Sequence, residues 1–159
     1  MDSLPKLIDV LITVKAATEH YEPLAIAVGM LTLHGVCILL IGKIFHSCIR
    51  LIHGGGNRVL SILTYMIATG LILCTHFLDI LIWTYTVIGL KVFDNDLHAF
   101  YYIGAYYTTV GTTSFVVPQN WQILPIFISF TGIFSASLSA AVLYSMINTL
   151  MQNEASKRA

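Results

Sequence analysis

Asp79 stands inside an apolar run, residues 59–90, that contains no other Asp, Glu, Lys or Arg. A carboxylate at membrane depth is costly and usually has a task. Two tasks fit it: a charge or hydrogen-bond partner, or a proton-sensitive group. A place near the outer interface, where the acid stays hydrated, is the plainer alternative. His76 precedes Asp79 by three residues, one helical turn, which puts the two side chains within reach of each other. His34 and Cys37 share the same spacing, and His46 and Cys48 follow. A metal site needs three or four converging ligands. Buried, satisfied side chains are enough to explain these four residues, so no metal is expected from them. No set of nucleophile, base and oxyanion donors can be assembled, so neither an enzyme nor a cofactor is expected.

A second place for chemistry is the stretch Tyr-Tyr-Thr-Thr-Val-Gly-Thr-Thr-Ser-Phe, residues 106–115. It carries no charged side chain, so whatever it binds it must hold with backbone and hydroxyl groups. Its surroundings make that unusual. From 97 to 153 there is no Asp, Glu, Lys or Arg at all. As one helix this stretch would be about 85 Å long, nearly three times the roughly 30 Å of a bilayer core. It must fold back, and Gly111 and Pro118 mark where. A segment 97–109 is too short to cross and reads as a re-entrant helix, with Asp96 as its N-cap. A full-length span, 123–151, follows. The residues between them would be irregular backbone at membrane depth. Such backbone persists only inside protein or against a water-filled cavity. One chain of 159 residues is too small to surround it, which argues for an oligomer with the loop at its centre.

The remaining elements frame that loop. Apolar residues make up 57% of the chain and charged residues 10%. A soluble domain carries about 25% charged residues, so the expected solvent is lipid. With a net charge of zero, nothing points to nucleic acid. Residues 24–50 read as a first transmembrane helix and 59–90 as a second. Between them lies a Gly-Gly-Gly loop that no helix continues through. Lys43, Arg50 and Arg58 flank that loop with no acid nearby, which places it in the cytoplasm. The N-terminus, residues 1–23, then lies outside and the C-terminus inside. Within it, 4–18 reads as an interfacial or extracellular amphipathic helix, with a fourth span as the alternative. Asp9 and Lys15 interrupt its apolar stretch, so it is not read as a signal peptide. Cys37, Cys48 and Cys74 read as buried thiols. Trp83, Tyr85 and Trp121 read as residues of an outer interfacial belt.

Segment order, loop charge and the Thr-Thr-Val-Gly of 108–111 together resemble the pore module of the potassium-channel superfamily. That module consists of outer helix, pore helix, filter and inner helix. The likeness covers residues 80–148. It is nearest to small bacterial pore-loop channels with one extra N-terminal helix. The aromatic run Ala-Phe-Tyr-Tyr at 99–102, the Thr-Val-Gly, Trp121 and the small-residue string Ser-Leu-Ser-Ala-Ala at 137–141 all fall at matching spacing.

The resemblance implies an all-α membrane protein. It would have three transmembrane helices plus a re-entrant pore helix (97–109) and a filter loop (109–114), inside a pore module 59–151 assembled as a tetramer. In such a pore, carbonyls from four chains replace the water shell of a cation. Thr109, Val110 and Gly111 would supply the inner part, with Thr112 and Thr113 beyond them. Asp79, Tyr106 and Tyr107 are candidates for support behind the filter. Tyr101, Tyr102, Tyr106 and Tyr107 would pack against the second and third spans. Gly132 is a candidate hinge, with close helix packing as the plainer reason for a glycine there.

The resemblance breaks after Gly111. The superfamily's usual continuation is Tyr-Gly-Asp, and here Thr112, Thr113 and Ser114 stand instead. A β-branched residue tolerates a positive φ poorly, so the outer half should follow another path and discriminate less between ions. The expected function is a passive homotetrameric channel for potassium or mixed monovalent cations such as sodium, seated in a lipid bilayer. The alternative is a non-conducting assembly or sensor protein that keeps the pore-loop fold.

Overall fold

A computed structural model describes residues 21–53, 58–111 and 114–156. The expected N-terminal helix 4–18, the filter positions Thr112 and Thr113 and the tail from 157 lie outside the described residues. The described chain is all α-helical: α1 (Tyr21–His53), α2 (Arg58–Gly89), α3 (Asp96–Tyr107), a single 3-10 turn (Gln119–Trp121) and α4 (Leu124–Ser156). Three segments are long and apolar enough to cross a membrane: Tyr21–Ile52, Arg58–Gly89 and Gln119–Asn153. At 32 to 35 residues they are about 48–53 Å long. That exceeds the hydrocarbon core, so their ends reach the headgroups or the helices tilt. The chain is therefore a multi-pass membrane protein.

Local chemistry sets the ends of these helices. Pro23 lies in the first turn of α1, where its missing N–H costs nothing, and Glu22 beside it complements the helix dipole. α2 closes through a left-handed Lys91 (φ 56). The N–H of Val92 bonds to the Val87 carbonyl and that of Lys91 to the Ile88 carbonyl, both at 2.9 Å. This is the Schellman arrangement, and its partner residues Val87 and Val92 are buried in the same cluster. A left-handed non-glycine residue costs about 1–2 kcal/mol, which the paired carbonyls offset.

The expectation that Asp96 caps α3 is corrected by one residue. Asn95 is the cap: its extended backbone lets the amide oxygen accept the N–H of His98 at 3.0 Å. Asp96 sits in the first turn instead, where its carboxylate faces the positive end of the dipole.

The chain divides into two compact units, to both of which α1, α2 and α4 contribute. One comprises Met1–Met30 with Ile80–Gly132, the other Leu31–Asp79 with Ile133–Ala159. The core of the first unit holds Trp83, Val87, Ala99, Tyr102, Ile103, Tyr107, Leu124 and Ile128. Trp83 is not a belt residue: it is fully buried, and its indole N–H donates to Thr131 Oγ1 at 3.0 Å. A buried indole needs such an acceptor, and Thr131 on α4 supplies it. Tyr85 is exposed, and Trp121 packs half-buried on the cluster. The second unit packs Ile38, Phe45, Ile49, Ala68, Ile72 and Met146. Cys37 and Cys48 are half-buried, but Cys74 faces outward from α2, against the expectation of a buried thiol.

Candidate functional site

The site read from the sequence is the end of α3 and the residues after it. α3 is anchored by the face that carries Ala99, Tyr102, Ile103 and Tyr107, all buried. Tyr102 touches Phe93 and Tyr106, with ring centroids 4.9 and 4.7 Å apart. Tyr106 is half-buried, whereas Tyr101 points outward, 59% exposed. So two of the four tyrosines expected to pack on the neighbouring spans are buried, and Tyr101 is free for a different environment. At the far side of the loop, Phe115 stacks on His98 at 4.4 Å and ties the returning chain to the start of α3.

The helix ends in a turn that holds its last carbonyls. The Thr108 N–H and hydroxyl both bond to the Gly104 carbonyl, at 3.0 and 2.7 Å. The Thr109 N–H bonds to Tyr106 and the Gly111 N–H reaches back to Ala105, each at 3.0 Å. Thr109 has φ 63 and Gly111 φ 72, while Val110 between them keeps a negative φ. Gly111 takes this left-handed form freely. Thr109 does not: it is β-branched, and its conformation costs about 1–3 kcal/mol. Thr108, Thr109 and Val110 are exposed in the single chain, Val110 by 66%.

Two residues of α4 hold this turn, and sequence reading assigned neither of them that job. Ser129 Oγ donates to the Tyr106 carbonyl at 3.0 Å, so that oxygen accepts from both Ser129 and Thr109. Gly132 is buried directly against the Tyr107 backbone, and a β-carbon there would overlap the Tyr107 carbonyl oxygen. Close approach therefore explains why position 132 is a glycine.

Asp79 belongs to the other unit. It is 3% exposed, which removes the hydrated-interface reading. Its Oδ2 lies 2.7 Å from His34 Nδ1. His34 Nε2 lies 3.2 Å and His76 Nε2 3.0 Å from the same hydroxyl, Ser139 Oγ. The rings of His34 and His76 stand 4.8 Å apart. The sequence grouped His34 with Cys37; in space it joins His76, Asp79 and Ser139. Asp79, His34 and Ser139 follow the connectivity of a hydrolytic triad. Ser139, however, is buried and bridges two imidazoles, which makes it a clamp between rings rather than a presented nucleophile.

No protein-family model, curated protein or solved structure matches this chain.

Proposed function

We propose that this chain is one subunit of a homotetrameric, passive cation channel with a potassium-channel-like pore loop, passing potassium or a mixture of monovalent cations. The observation that carries this reading is the conformation of Thr109, Val110 and Gly111. A β-branched residue held at φ 63 next to a glycine at φ 72 is strain stored at one place, and such strain concentrates at ligand-holding sites. Its position adds support. The strained residues follow the C-terminus of α3, the negative end of its dipole, which favours a cation; the acidic residue of this helix, Asp96, lies at its other end. They are irregular backbone in a membrane protein, exposed in the single chain, and so call for a protein shell or water around them. A tetramer with these residues at its axis supplies both.

In this reading the Thr109 hydroxyl and the carbonyls of 109–111 replace part of the ion's water shell. Beyond Gly111 the Tyr-Gly-Asp usual in such filters is replaced by Thr-Thr-Ser, so the proposed pore discriminates less between ions. The end of α1 and the start of α2 face the cytoplasm, as Lys43, Arg50 and Arg58 favour.

The test is cation flux from liposomes containing the purified protein. Potassium flux above that of empty liposomes, lost in Gly111→Ala, supports the channel. A stable tetramer with no flux for any monovalent cation would replace it with the non-conducting assembly or sensor.

A further inference from the structure

We propose that His34, His76 and Asp79 form a binding site for a divalent transition-metal ion, zinc being the best fit to the ligand set. The three residues each offer one ligand atom, and these atoms all lie within 4.8 Å of one another. Two imidazoles and one carboxylate are a frequent protein ligand set for zinc, leaving a fourth position for water. Ligands held tetrahedrally at about 2.0–2.1 Å from zinc stand about 3.3–3.4 Å apart. The cluster thus needs rotamer adjustments of about an ångström rather than movement of a helix.

The placement of the ligands is that of a metal site in a helical bundle. His76 and Asp79 project from one face of α2 at i, i+3, and His34 meets them from α1. The same i, i+3 pairing of a carboxylate and a histidine builds di-metal sites in four-helix proteins. Ser139 supplies the outer support that metal-binding histidines require. With both rings in the Nε2–H form, its oxygen accepts from both, at 3.2 and 3.0 Å. His34 Nδ1, which no hydrogen bond occupies, then faces Asp79 as a ligand atom.

The His34 Nδ1 contact favours an ion over a simple proton-bridged pair. It is fully buried and only 2.7 Å from Asp79 Oδ2, yet it makes no aligned hydrogen bond. A proton shared between the two would draw them into line. A metal ion needs the nitrogen's axis for itself, with the carboxylate to one side. Burial adds to the demand, since a carboxylate 3% exposed in an apolar helix needs a cation or a proton close to it.

The test uses the full-length protein, purified in detergent through a tag free of histidine, stripped with EDTA and dialysed against zinc. Metal analysis should find about one zinc per chain in the wild type, and loss of most of it in His34→Ala, His76→Ala and Asp79→Asn. His46→Ala, outside the cluster, should keep it. Zinc should also raise the melting temperature of the wild type and not that of Asp79→Asn. Because the variants can fail to fold, the wild type is also loaded with cobalt(II), whose visible absorption bands report a four-coordinate nitrogen and oxygen site. Stripped wild type that takes up no more zinc than Asp79→Asn, or cobalt that shows only the spectrum of the hydrated ion, would overturn the proposal. The cluster would then be a hydrogen-bonded proton site.

Discussion

Gly132 of α4 lies against Tyr107, the last residue of α3, so closely that a β-carbon at 132 would overlap the Tyr107 carbonyl oxygen. α4 and the end of α3 are thereby fixed to each other through backbone, with no side chain between them. Gly132→Ala must push the end of α3 aside. The expected cost is about 1–3 kcal/mol of stability, as for overpacking in a tight core. The strained residues two and four positions beyond Tyr107 would move with it. Thermal unfolding should show the loss, and liposome flux should fall at least tenfold. Full flux with unchanged stability would mean that the contact is not tight.

Ser129→Ala is the milder probe of the same turn. It removes one of two hydrogen bonds to the Tyr106 carbonyl and leaves the Thr109 N–H in place. A single such bond contributes about 1 kcal/mol. The assembled protein should survive with a small loss of stability, and flux should drop less than in Gly132→Ala. A larger loss in Ser129→Ala than in Gly132→Ala would place the main support of the turn in the wrong residue.

Much of this arrangement was legible in the sequence, for reasons of solvent. A charge-free stretch far longer than a bilayer has to fold back, so a short α3 between long spans follows from length alone. Asp79 and His76 were legible as neighbours because one turn of helix joins them. His34 and Ser139 were not, because they reach that pair across 45 and 60 positions of chain from Asp79, and no local pattern encodes such a meeting. Trp83 misled for a related reason: an indole suits an interface or a core, and only Thr131 on another helix decides between them. The positive φ of Thr109 runs against the preference of its own side chain. It is imposed by the turn that closes α3, whose hydrogen bonds the sequence does not display.

His34 and Asp79 should be coupled in stability. His34→Ala removes the ring 2.7 Å from a buried carboxylate, and with it the proton or cation the two share; leaving a buried charge uncompensated typically costs about 3–5 kcal/mol. Asp79→Asn removes the charge but keeps the shape, so it should cost less. The double substitution should be no worse than His34→Ala alone. Denaturation of all four proteins in the same detergent measures this. Strictly additive losses would show that the two residues do not act as a pair.

The outer half of the proposed filter should determine how strongly the pore separates potassium from sodium. The combined substitution Thr112→Tyr, Thr113→Gly and Ser114→Asp supplies a second glycine able to take a positive φ, which Thr113 resists. Bi-ionic measurements should give weak discrimination for the native sequence and a clear rise in preference for potassium in the triple variant. Strong potassium selectivity in the native protein, unaltered in the variant, would contradict the weaker discrimination proposed for Thr-Thr-Ser.

The most direct test is a density map of the assembled protein in potassium. The expected result is a fourfold assembly in which Thr109, Val110 and Gly111 from each chain line the axis, with cation density beside them. A monomer, or an assembly in which residues 109–111 face away from the axis with no cation density near them, would contradict the proposed pore.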